Sequence, residues 1–222
     1  MTRSIATAYR PMPQQWIIAA EGFPFLVITL LLSLLAALFG SLFLACFFLL
    51  LTLGIALFFR NPERVISQEK GVIVSPADGR ILSITDAKAP FTENPSKKIS
   101  IFLSIFNVHI NRAPIEGMVK NISYHQGKFF VASFDKASEH NERNVILFQD
   151  DHGREIVMSQ IAGLVARRIV CYLKESMRIG RGERIGLIRF GSRVDLYLPS
   201  QVELRIQEGD NVRGGSTVLG KF

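Results

Sequence analysis

The chain has 222 residues and a formal net charge of +7, and 48% of its residues are hydrophobic. An uncharged stretch of 38 residues covers 22–59, whereas residues 60–222 hold 24 of the 26 Lys and Arg and 18 of the 19 Asp and Glu. This uneven distribution excludes a wholly soluble protein, a multi-pass transporter and a disordered chain. It predicts a membrane anchor followed by one globular domain. Two cysteines, Cys46 and Cys171, are too few for a disulfide framework and fit a reducing compartment.

The uncharged stretch is too long for one membrane span. About 20 helical residues cross a bilayer core of roughly 30 Å, and Gly40-Ser41 lies near the middle of the stretch. We therefore expect a membrane anchor over 22–59 made of two short helices, near 23–39 and 42–59, joined by a tight turn. One long tilted span with an interfacial piece is the alternative.

Basic residues flank the predicted hairpin on both sides. Arg3 and Arg10 precede it within the segment 1–21, and Arg60 and Arg64 follow it. Because positive flanks favour the cytoplasm, a hairpin places both of its ends there. The expected location is the cell membrane, the inner one where there are two, with the globular domain on the cytoplasmic side. The net charge of +6 on that domain suits an anionic membrane surface, and no motif points to nucleic acid.

The globular domain, 60–222, shows the alternation of apolar and polar residues that is typical of half-buried strands. The pattern is clear in 98–105, 194–198 and 202–206, and turn sequences rich in Gly, Pro and Asp separate the segments. Helical patterns are few, although 132–144 is compatible with a short helix or an ordered loop. The predicted fold class is β-rich α+β.

An internal repeat occurs in the last third of the chain. Residues 175–185 and 208–218 share a pattern of Glu, Gly and aliphatic residues at an offset of 33, and the preceding segments 169–173 and 202–206 match at the same offset. The pattern is similar to the half-repeats of lipoyl- and biotinyl-type barrel-sandwich domains. It predicts a barrel-sandwich-like β domain after the hydrophobic helical hairpin. A non-enzymatic membrane adaptor with a lipoyl-like domain remains an alternative, although its turns lack a modifiable lysine.

Individual candidate residues stay ambiguous from spacing alone. Ser192 follows Gly191 and shares the parity of the apolar positions after it, so its hydroxyl should point to the buried face, beside a carbonyl that it can attack. Asp78 lies in a Pro-Ala-Asp-Gly turn, where turn chemistry alone explains it. His109 follows an alternating strand, where packing and catalytic roles are both open. No His pair or Cys/His cluster has metal-ligand spacing, so no metal is predicted.

Six short motifs occur in order along the chain. They are Phe58-Phe59-Arg60-Asn61-Pro62-Glu63-Arg64, Ser75-Pro76-Ala77-Asp78-Gly79, Asn107-Val108-His109-Ile110-Asn111-Arg112-Ala113-Pro114, Asn141-Glu142-Arg143-Asn144, Gln160-Ile161-Ala162-Gly163 through Arg167-Arg168-Ile169-Val170, and Phe190-Gly191-Ser192-Arg193-Val194-Asp195. Together, after a membrane hairpin, they resemble the phosphatidylserine decarboxylase proenzymes of the short bacterial and archaeal type. The resemblance covers nearly all of the globular domain.

The resemblance implies that the chain cleaves itself between Gly191 and Ser192. In this family the serine becomes a covalent pyruvoyl cofactor, so a β chain, 1–191, and an α chain, 192–222, are expected. The implied enzyme is a membrane-anchored decarboxylase that converts phosphatidylserine to phosphatidylethanolamine and CO₂. The ether-lipid analogue archaetidylserine is an alternative substrate, and a homo-oligomer is compatible with the sequence.

The resemblance also implies roles for individual side chains. Asp78 and His109 are the expected partners of Ser192, with His109 as acid and base. Longer family members carry a second histidine where this chain has Arg112, which leaves the step served by His109 open. If His109 is not the base, the next candidate is His140. The candidate contacts to the anionic headgroup are Arg112, Arg189 and Arg193.

Overall fold

The structure is a computed structural model. It describes residues 16–127, 141–163, 168–189 and 191–222. The chain divides into two units, of which the smaller covers Met12–Glu63 and the larger covers the remaining residues. His140 and most of the segment 132–144, for which a helix or loop was predicted, lie outside the described residues.

The smaller unit contains two apolar helices. A single 3₁₀ turn, Ala20–Gly22, leads into α1, Phe23–Leu38, and α2 covers Leu42–Phe58. Gly40 in the turn between them adopts φ = +76°, which glycine reaches without steric cost. Ala20–Leu38 is long and apolar enough to cross a membrane, and α2, with 17 residues, is a shorter apolar helix.

Small and polar side chains face each other between α1 and α2. Ser33 Oγ donates to the Ala45 carbonyl at 2.8 Å, and Thr52 Oγ1 donates to Thr29 Oγ1 at 2.8 Å. Thr29, Ser33 and Ala45 are buried, whereas most of the Leu and Phe side chains of both helices are exposed. This arrangement is the inverse of a soluble protein and is typical of helices that pack together in lipid.

The larger unit consists almost entirely of strands. In the described residues they are β1 (Val72–Val74), β2 (Gly79–Lys88), β3 (Pro95–Leu103), β4 (Ile110–Arg112), β5 (Gly117–His125), β6 (Arg143–Gln149), β7 (Glu155–Ile161), β8 (Ile169–Cys171), β9 (Arg178–Ile179), β10 (Arg184–Ile188), β11 (Ser192–Pro199), β12 (Glu203–Leu204), β13 (Asn211–Val212) and β14 (Val218–Lys221). Two three-stranded sheets have the orders β1-β14-β12 and β4-β10-β8. An eight-stranded sheet has the order β13-β2-β3-β11-β7-β6-β5-β9.

These sheets contain the same seven-strand unit twice. The second half-repeat, β4 to β10, is continuous and is inserted between β3 and β11 of the first half-repeat, which consists of β1 to β3 and β11 to β14. The two half-repeats meet at β7 and β11, around which the order of the eight-stranded sheet is symmetrical. The inserted repeat explains why the sequence pattern was visible only in the last third of the chain.

Hydrogen bonds match between the half-repeats. Val74 N donates to Pro114 O at 2.9 Å and Arg112 N donates to Pro76 O at 2.8 Å, which is the same bond exchanged between equivalent positions. Both β2 and β5 carry a bulge after their third residue. The predicted offset of 33 residues relates β8 to β12 and β9 to β13. The chain has one extra residue before β14, so the offset from β10 to β14 is one residue larger.

The apolar core lies on the face of the eight-stranded sheet to which alternate residues of β3 and β11 point. Its fully buried members in these two strands are Ile99, Ile101, Leu103, Val194, Leu196 and Leu198. The predicted fold, a helical hairpin before a barrel-sandwich-like domain with an internal half-repeat, is confirmed. One predicted core position is wrong, because β3 ends at Leu103 and Ile105 lies exposed in the following turn.

Candidate active site

Ser192 is the first residue of β11, at the centre of the eight-stranded sheet. Its backbone faces Leu103 of β3. The side chain is fully buried on the core face, as the alternation of β11 predicts, and its Oγ has no hydrogen-bond partner among the described residues. A buried polar group without a partner costs about 1–3 kcal/mol, so such groups are rare unless they have a function. Ser192 is therefore the first candidate for chemistry.

Gly191 places a carbonyl directly before this hydroxyl. Its φ of +59° lies in the left-handed region, which favours glycine, and a Cβ at this position would meet no heavy atom within 4 Å. Backbone conformation rather than space therefore requires the glycine. A serine Oγ and the preceding carbonyl carbon can close a five-membered ring, so the pair contains both the nucleophile and the electrophile of a self-cleavage.

His109 is buried in the segment that connects β3 to β4. Its Nδ1 lies 2.9 Å from the Asn107 carbonyl oxygen, and its own carbonyl accepts from Ile188 N, at the end of β10, at 3.4 Å. A ring nitrogen that faces a carbonyl must donate, so the Nδ1 of neutral His109 carries the proton and Nε2 carries the lone pair. The structure thus fixes the tautomer in which Nε2 can act as a base.

Asp78 lies just before β2, near the same end of the sheet as Ser192. Arg80 and Arg193 face Phe102 from its two sides, so β2 and β11 are separated by two strand spacings of about 4.8 Å each. The Asp78 carboxylate is held by Arg64 Nη2 at 2.7 Å and by Gly214 N at 2.8 Å.

The structure does not join Asp78 and His109 by a hydrogen bond. The bonds of the Asp78 carboxylate go to Arg64 and Gly214, while Nδ1 of His109 is directed at Asn107. A carboxylate that is paired with an arginine still contributes to the charge and backbone geometry of the site. The expected pairing of these two side chains as one catalytic unit stays a prediction.

Arg193 lies on the opposite face of β11 from Ser192. Its side chain is 1% exposed and forms an ion pair with Asp195, with Nε–Oδ1 and Nη2–Oδ2 distances of 2.5 and 3.2 Å. Nη2 also donates to Ser100 Oγ at 2.7 Å. A guanidinium occupied by a buried carboxylate is badly placed to bind a lipid headgroup, so this geometry argues against that prediction for Arg193.

The other two arginine candidates differ in exposure. Arg112 is buried and its Nη1 donates to the Gly182 carbonyl at 2.8 Å, which gives it a structural partner within the domain. Arg189 is partly exposed and lies between the end of β10 and Gly191. Of the three arginines predicted for the headgroup, Arg189 has the most exposed side chain, and its role in binding the headgroup stays a prediction.

A chain of three buried amides lies on the Ser192 face of the sheet, and no role was predicted for any of its members. Asn144 Nδ2 donates to Gln160 Oε1 at 2.9 Å, and Gln160 Nε2 donates to Asn111 Oδ1 at 2.8 Å. Gln160 directly faces Val194 of β11, and cross-strand neighbours share a face. All three amides are at most 1% exposed and occur in the motifs described above, which is the only signal that the sequence offered.

Comparisons with known proteins agree on one family. The family model described as Phosphatidylserine decarboxylase matches residues 51–220. The chain is 49% identical over 202 residues to the phosphatidylserine decarboxylase proenzyme of Oleidesulfovibrio alaskensis, a match that covers 91% of this chain and 93% of that protein. It is 46% identical over 203 residues to the proenzyme of Geotalea uraniireducens (91% and 95% covered) and 43% identical over 213 residues to that of Magnetococcus marinus (95% and 98% covered).

These matches span nearly the whole length of each protein. The alternative of a non-enzymatic adaptor with a lipoyl-like domain is therefore wrong, because the matches to decarboxylase sequences cover nearly all of the β domain that contains the half-repeat. The chain belongs to the phosphatidylserine decarboxylase family.

Proposed function

We propose that this protein is a membrane-anchored phosphatidylserine decarboxylase that first cleaves itself between Gly191 and Ser192. The observation that carries the proposal is the fully buried Ser192 Oγ, which has no hydrogen-bond partner among the described residues and follows a glycine at φ = +59°. The reaction removes the serine carboxylate of phosphatidylserine as CO₂ and leaves phosphatidylethanolamine. The names of the relatives support this substrate.

Self-cleavage begins with attack of Ser192 Oγ on the Gly191 carbonyl carbon, while the hydroxyl proton passes to a base. The tetrahedral centre collapses by breaking the C–N bond, and the nitrogen takes up a proton, which leaves an ester. Elimination across Cα and Cβ of residue 192 releases the Gly191 carboxylate and forms dehydroalanine. Water then converts dehydroalanine to a pyruvoyl group with loss of ammonia.

His109 is the base that this geometry favours. Its Nδ1 donates to the Asn107 carbonyl, so in the neutral ring Nε2 carries the lone pair that would take up a proton. The carbonyl of His109 accepts from Ile188, which ties the residue to the strand leading into Gly191. A positioned general base contributes roughly 10²–10⁴ in rate, which is the size of effect expected here.

The surroundings of residue 192 fit a covalent pyruvoyl group. The group is made from the serine itself, occupies about the same space, and requires a site shielded from water, which full burial on β11 provides. When present, it supplies an electrophilic ketone and a sink for the electrons that remain when CO₂ leaves. The protein holds residue 192 through its pairing with Leu103, and His109 is the residue that would return a proton to the substrate carbon.

The α chain, 192–222, stays in place after cleavage. Its strand β11 lies between β3 and β7, β14 lies between β1 and β12, and β13 pairs with β2. Leu196, Leu198 and Leu219 are fully buried in the shared core. One peptide bond breaks while every strand keeps its neighbours, so the two chains copurify and separate only when the protein is denatured.

Membrane anchoring is supported by the sequence and by the helices of the smaller unit. The helices α1 and α2 expose most of their Leu and Phe side chains and place polar groups between them. Basic residues on both flanks favour a cytoplasmic catalytic domain at the inner membrane. A cysteine introduced at Ile5 should resist an impermeant thiol reagent in intact cells, and its labelling would contradict this topology.

Mass spectrometry of the purified protein tests the proposal directly. We expect two fragments, 1–191 and 192–222, the second blocked to Edman degradation, and CO₂ release from vesicles of carboxyl-labelled phosphatidylserine. Vesicles of archaetidylserine assayed in parallel measure the preference for the lipid backbone. The variant Ser216→Ala, which changes the Gly-Ser pair inside the α chain, should cleave normally. A single intact chain of 24.8 kDa contradicts the proposal.

A further inference from the structure

The side chain of Asn111 has an unused hydrogen-bond donor in the buried region around Ser192. Asn111 lies in β4 and is 0% exposed, and its Nδ2 has no hydrogen-bond partner among the residues that the structure describes. Proteins normally satisfy buried amide groups. Its partner in the chain of amides, Gln160, faces Val194 on the same side of β11 as the Ser192 hydroxyl. The unused donor therefore lies at the end of an amide chain on the same face of the sheet as the Ser192 hydroxyl.

The direction of the Asn111 amide is set by its two neighbours in the chain. Asn144 Nδ2 donates to Gln160 Oε1, so Gln160 must present its NH₂ group to the next residue. That group donates to Asn111 Oδ1 at 2.8 Å. The NH₂ group of Asn111 consequently points away from Gln160, and the hydrogen bond from Gln160 holds it in that orientation.

The internal repeat shows that the fold does not require these polar groups. The ladder registers make Ile73 equivalent to Asn111 and Leu198 equivalent to Gln160. Both equivalents are fully buried members of the apolar core. An amide pair thus replaces an apolar pair at only one of the two equivalent ends of the domain, and that end contains Ser192.

We propose that Asn111 Nδ2 donates a hydrogen bond to the oxyanion that forms on the Gly191 carbonyl when Ser192 attacks it. Gln160 and Asn144 are positioning residues that hold the Asn111 amide in the required direction. The proposal rests on the self-cleavage proposed above. In the attack, the Oγ–C bond forms, the electron pair of the carbonyl double bond moves onto its oxygen, and the hydroxyl proton passes to the base.

A donor that is oriented before the reaction stabilises such a charge strongly, because the site excludes water and nothing has to reorganise. Removing one donor of this kind typically slows a reaction by roughly 10²–10³. The same arrangement explains why the donor is unused in the uncleaved chain, since the charge that it stabilises exists only during the attack.

The double variant Asn111→Ile/Gln160→Leu tests the proposal by copying the apolar pair of the equivalent end. We expect it to fold and to cleave roughly 10²–10³ times more slowly than wild type, as followed on denaturing gels after a pulse of synthesis. The control Ser159→Ala changes a buried side chain on the opposite face of the same strand and should cleave at the wild-type rate. Cleavage of the folded double variant within about threefold of wild type would overturn the proposal.

The variant Asn144→Asp tests the direction of the amide chain without changing Asn111. A carboxylate at position 144 can only accept, so Gln160 must turn its NH₂ group towards it and its Oε1 towards Asn111. The Asn111 donor is then occupied and cleavage should slow to a similar extent, with a circular dichroism spectrum like that of wild type. A purely structural role predicts instead a lower Tm and a normal cleavage rate for the folded protein, which would contradict the inference.

Hydroxylamine identifies the affected step, because it cleaves esters and leaves amides intact. It should release no α chain from the slow variants, since their block precedes ester formation. Release from a folded variant would show that the attack has occurred and would refute the role of Asn111. If wild type itself stays intact, the proposed self-cleavage is wrong and this inference falls with it. If wild type and the double variant both mature quickly, only the role of Asn111 is wrong.

Discussion

The internal repeat gives the domain two equivalent ends, the Ser192 end and the Arg154 end, and they differ in their chemistry. Strand register makes Gly191-Ser192 equivalent to Gly153-Arg154, and both glycines have positive φ, +59° and +77°. Ser192 is fully buried, whereas Arg154 is partly exposed and paired with Asp150 at 2.6 Å. The turn before each strand is thus a property of the fold, whereas the buried serine hydroxyl occurs at one end only.

The polar side chains near the turn at the Ser192 end are also absent from the equivalent positions at the Arg154 end. The equivalents of His109 and Asn111 are Gly71 and Ile73, so the Arg154 end lacks both the candidate base and the amide donor. A cavity of about 260 Å³ opens at the Arg154 end, while Ser192 is closed to solvent. The proposed chemistry therefore lies at the end where the side chains depart from the internal symmetry, and not at the end where this cavity opens.

The largest effect should come from moving the serine between the two ends. Ser192→Ala removes the nucleophile and should leave the chain at full length indefinitely. Arg154→Ser places the same Gly-Ser pair at the other end, where the glycine already has positive φ. We expect no cleavage there, because Gly71 and Ile73 supply neither a base nor an oxyanion donor. Intact mass after prolonged incubation measures both outcomes.

Cleavage after Gly153 in Arg154→Ser would break the comparison. It would show that a Gly-Ser pair in this turn can react without the equivalents of His109 and Asn111. The double variant Ser192→Ala/Arg154→Ser isolates this case, since any fragment that it produces must come from the second end.

Variants of His109 and Asp78 should have the next largest effect. His109→Ala removes the candidate base and should slow cleavage, turnover or both by roughly 10²–10⁴. Asp78→Asn removes the ion pair with Arg64 but keeps an oxygen for Gly214 N, so a smaller loss is expected. Glu116→Gln is the matched control, because Glu116 occupies the place of Asp78 at the Arg154 end.

Cleavage by mass and CO₂ release from labelled phosphatidylserine should be scored separately. Both variants maturing fully and turning over within about threefold of wild type, which is less than 1 kcal/mol in barrier, would mean that neither residue is catalytic. A loss in Glu116→Gln as large as in Asp78→Asn would mean that the effect comes from the fold and not from the Ser192 end.

The sequence predicted the parts of the fold that local pattern determines. Alternation identified β3 and β11 because each has one face on the core. The repeat was visible because its glutamates have the same structural role, with Glu175 and Glu208 accepting from the backbone N–H of Ile122 and Ile84. The predicted strand 202–206 is shorter in the structure, where β12 covers Glu203–Leu204.

The chain of three buried amides could not be predicted from the sequence. Asn111, Gln160 and Asn144 lie in three different strands, and only the register of the folded sheets brings them together. The hydrogen bonds of Asp78 were missed for the same reason, because Arg64 and Gly214 come from opposite ends of the domain sequence. Ser192 could be predicted because its whole motif, 190–195, is continuous in the chain and resembles that of the family.

A glycine shared by both ends should be structurally important at each of them. A Cβ on Gly79 would lie 2.2 Å from the Phe102 carbonyl oxygen, and one on Gly117 would lie 2.2 Å from that of Gln149. Gly79→Ala and Gly117→Ala should each lower the free energy of unfolding by about 1–3 kcal/mol, the second more, because its φ is +148°. The control Gly180→Ala meets only an ordinary contact at 3.5 Å. Urea titration measures all three, and a stable Gly117→Ala would show that the ends are not equivalent.

The smallest effect should come from an ion-pair cluster that only one half-repeat has. Glu69 accepts from Arg205 Nη1 at 3.0 Å and from Lys221 Nζ at 2.7 Å, whereas the equivalents of the two cations are Tyr172 and Leu187. The hydrogen bonds from Arg205 and then Lys221 lower the pKa of Glu69 from 4.5 to about 2. A depressed pKa means that the stabilisation is complete above pH 4.5 and is lost as the pH falls towards 2.

Because the groups are exposed, Glu69→Gln should lower Tm only slightly at pH 7, and less in high salt. That difference should shrink steadily between pH 4.5 and 2, and Arg205→Ala should add little to it. A Tm difference between wild type and Glu69→Gln that grows on acidification would show that the ion pairs of Glu69 do not stabilise the packing of the α chain against the β chain.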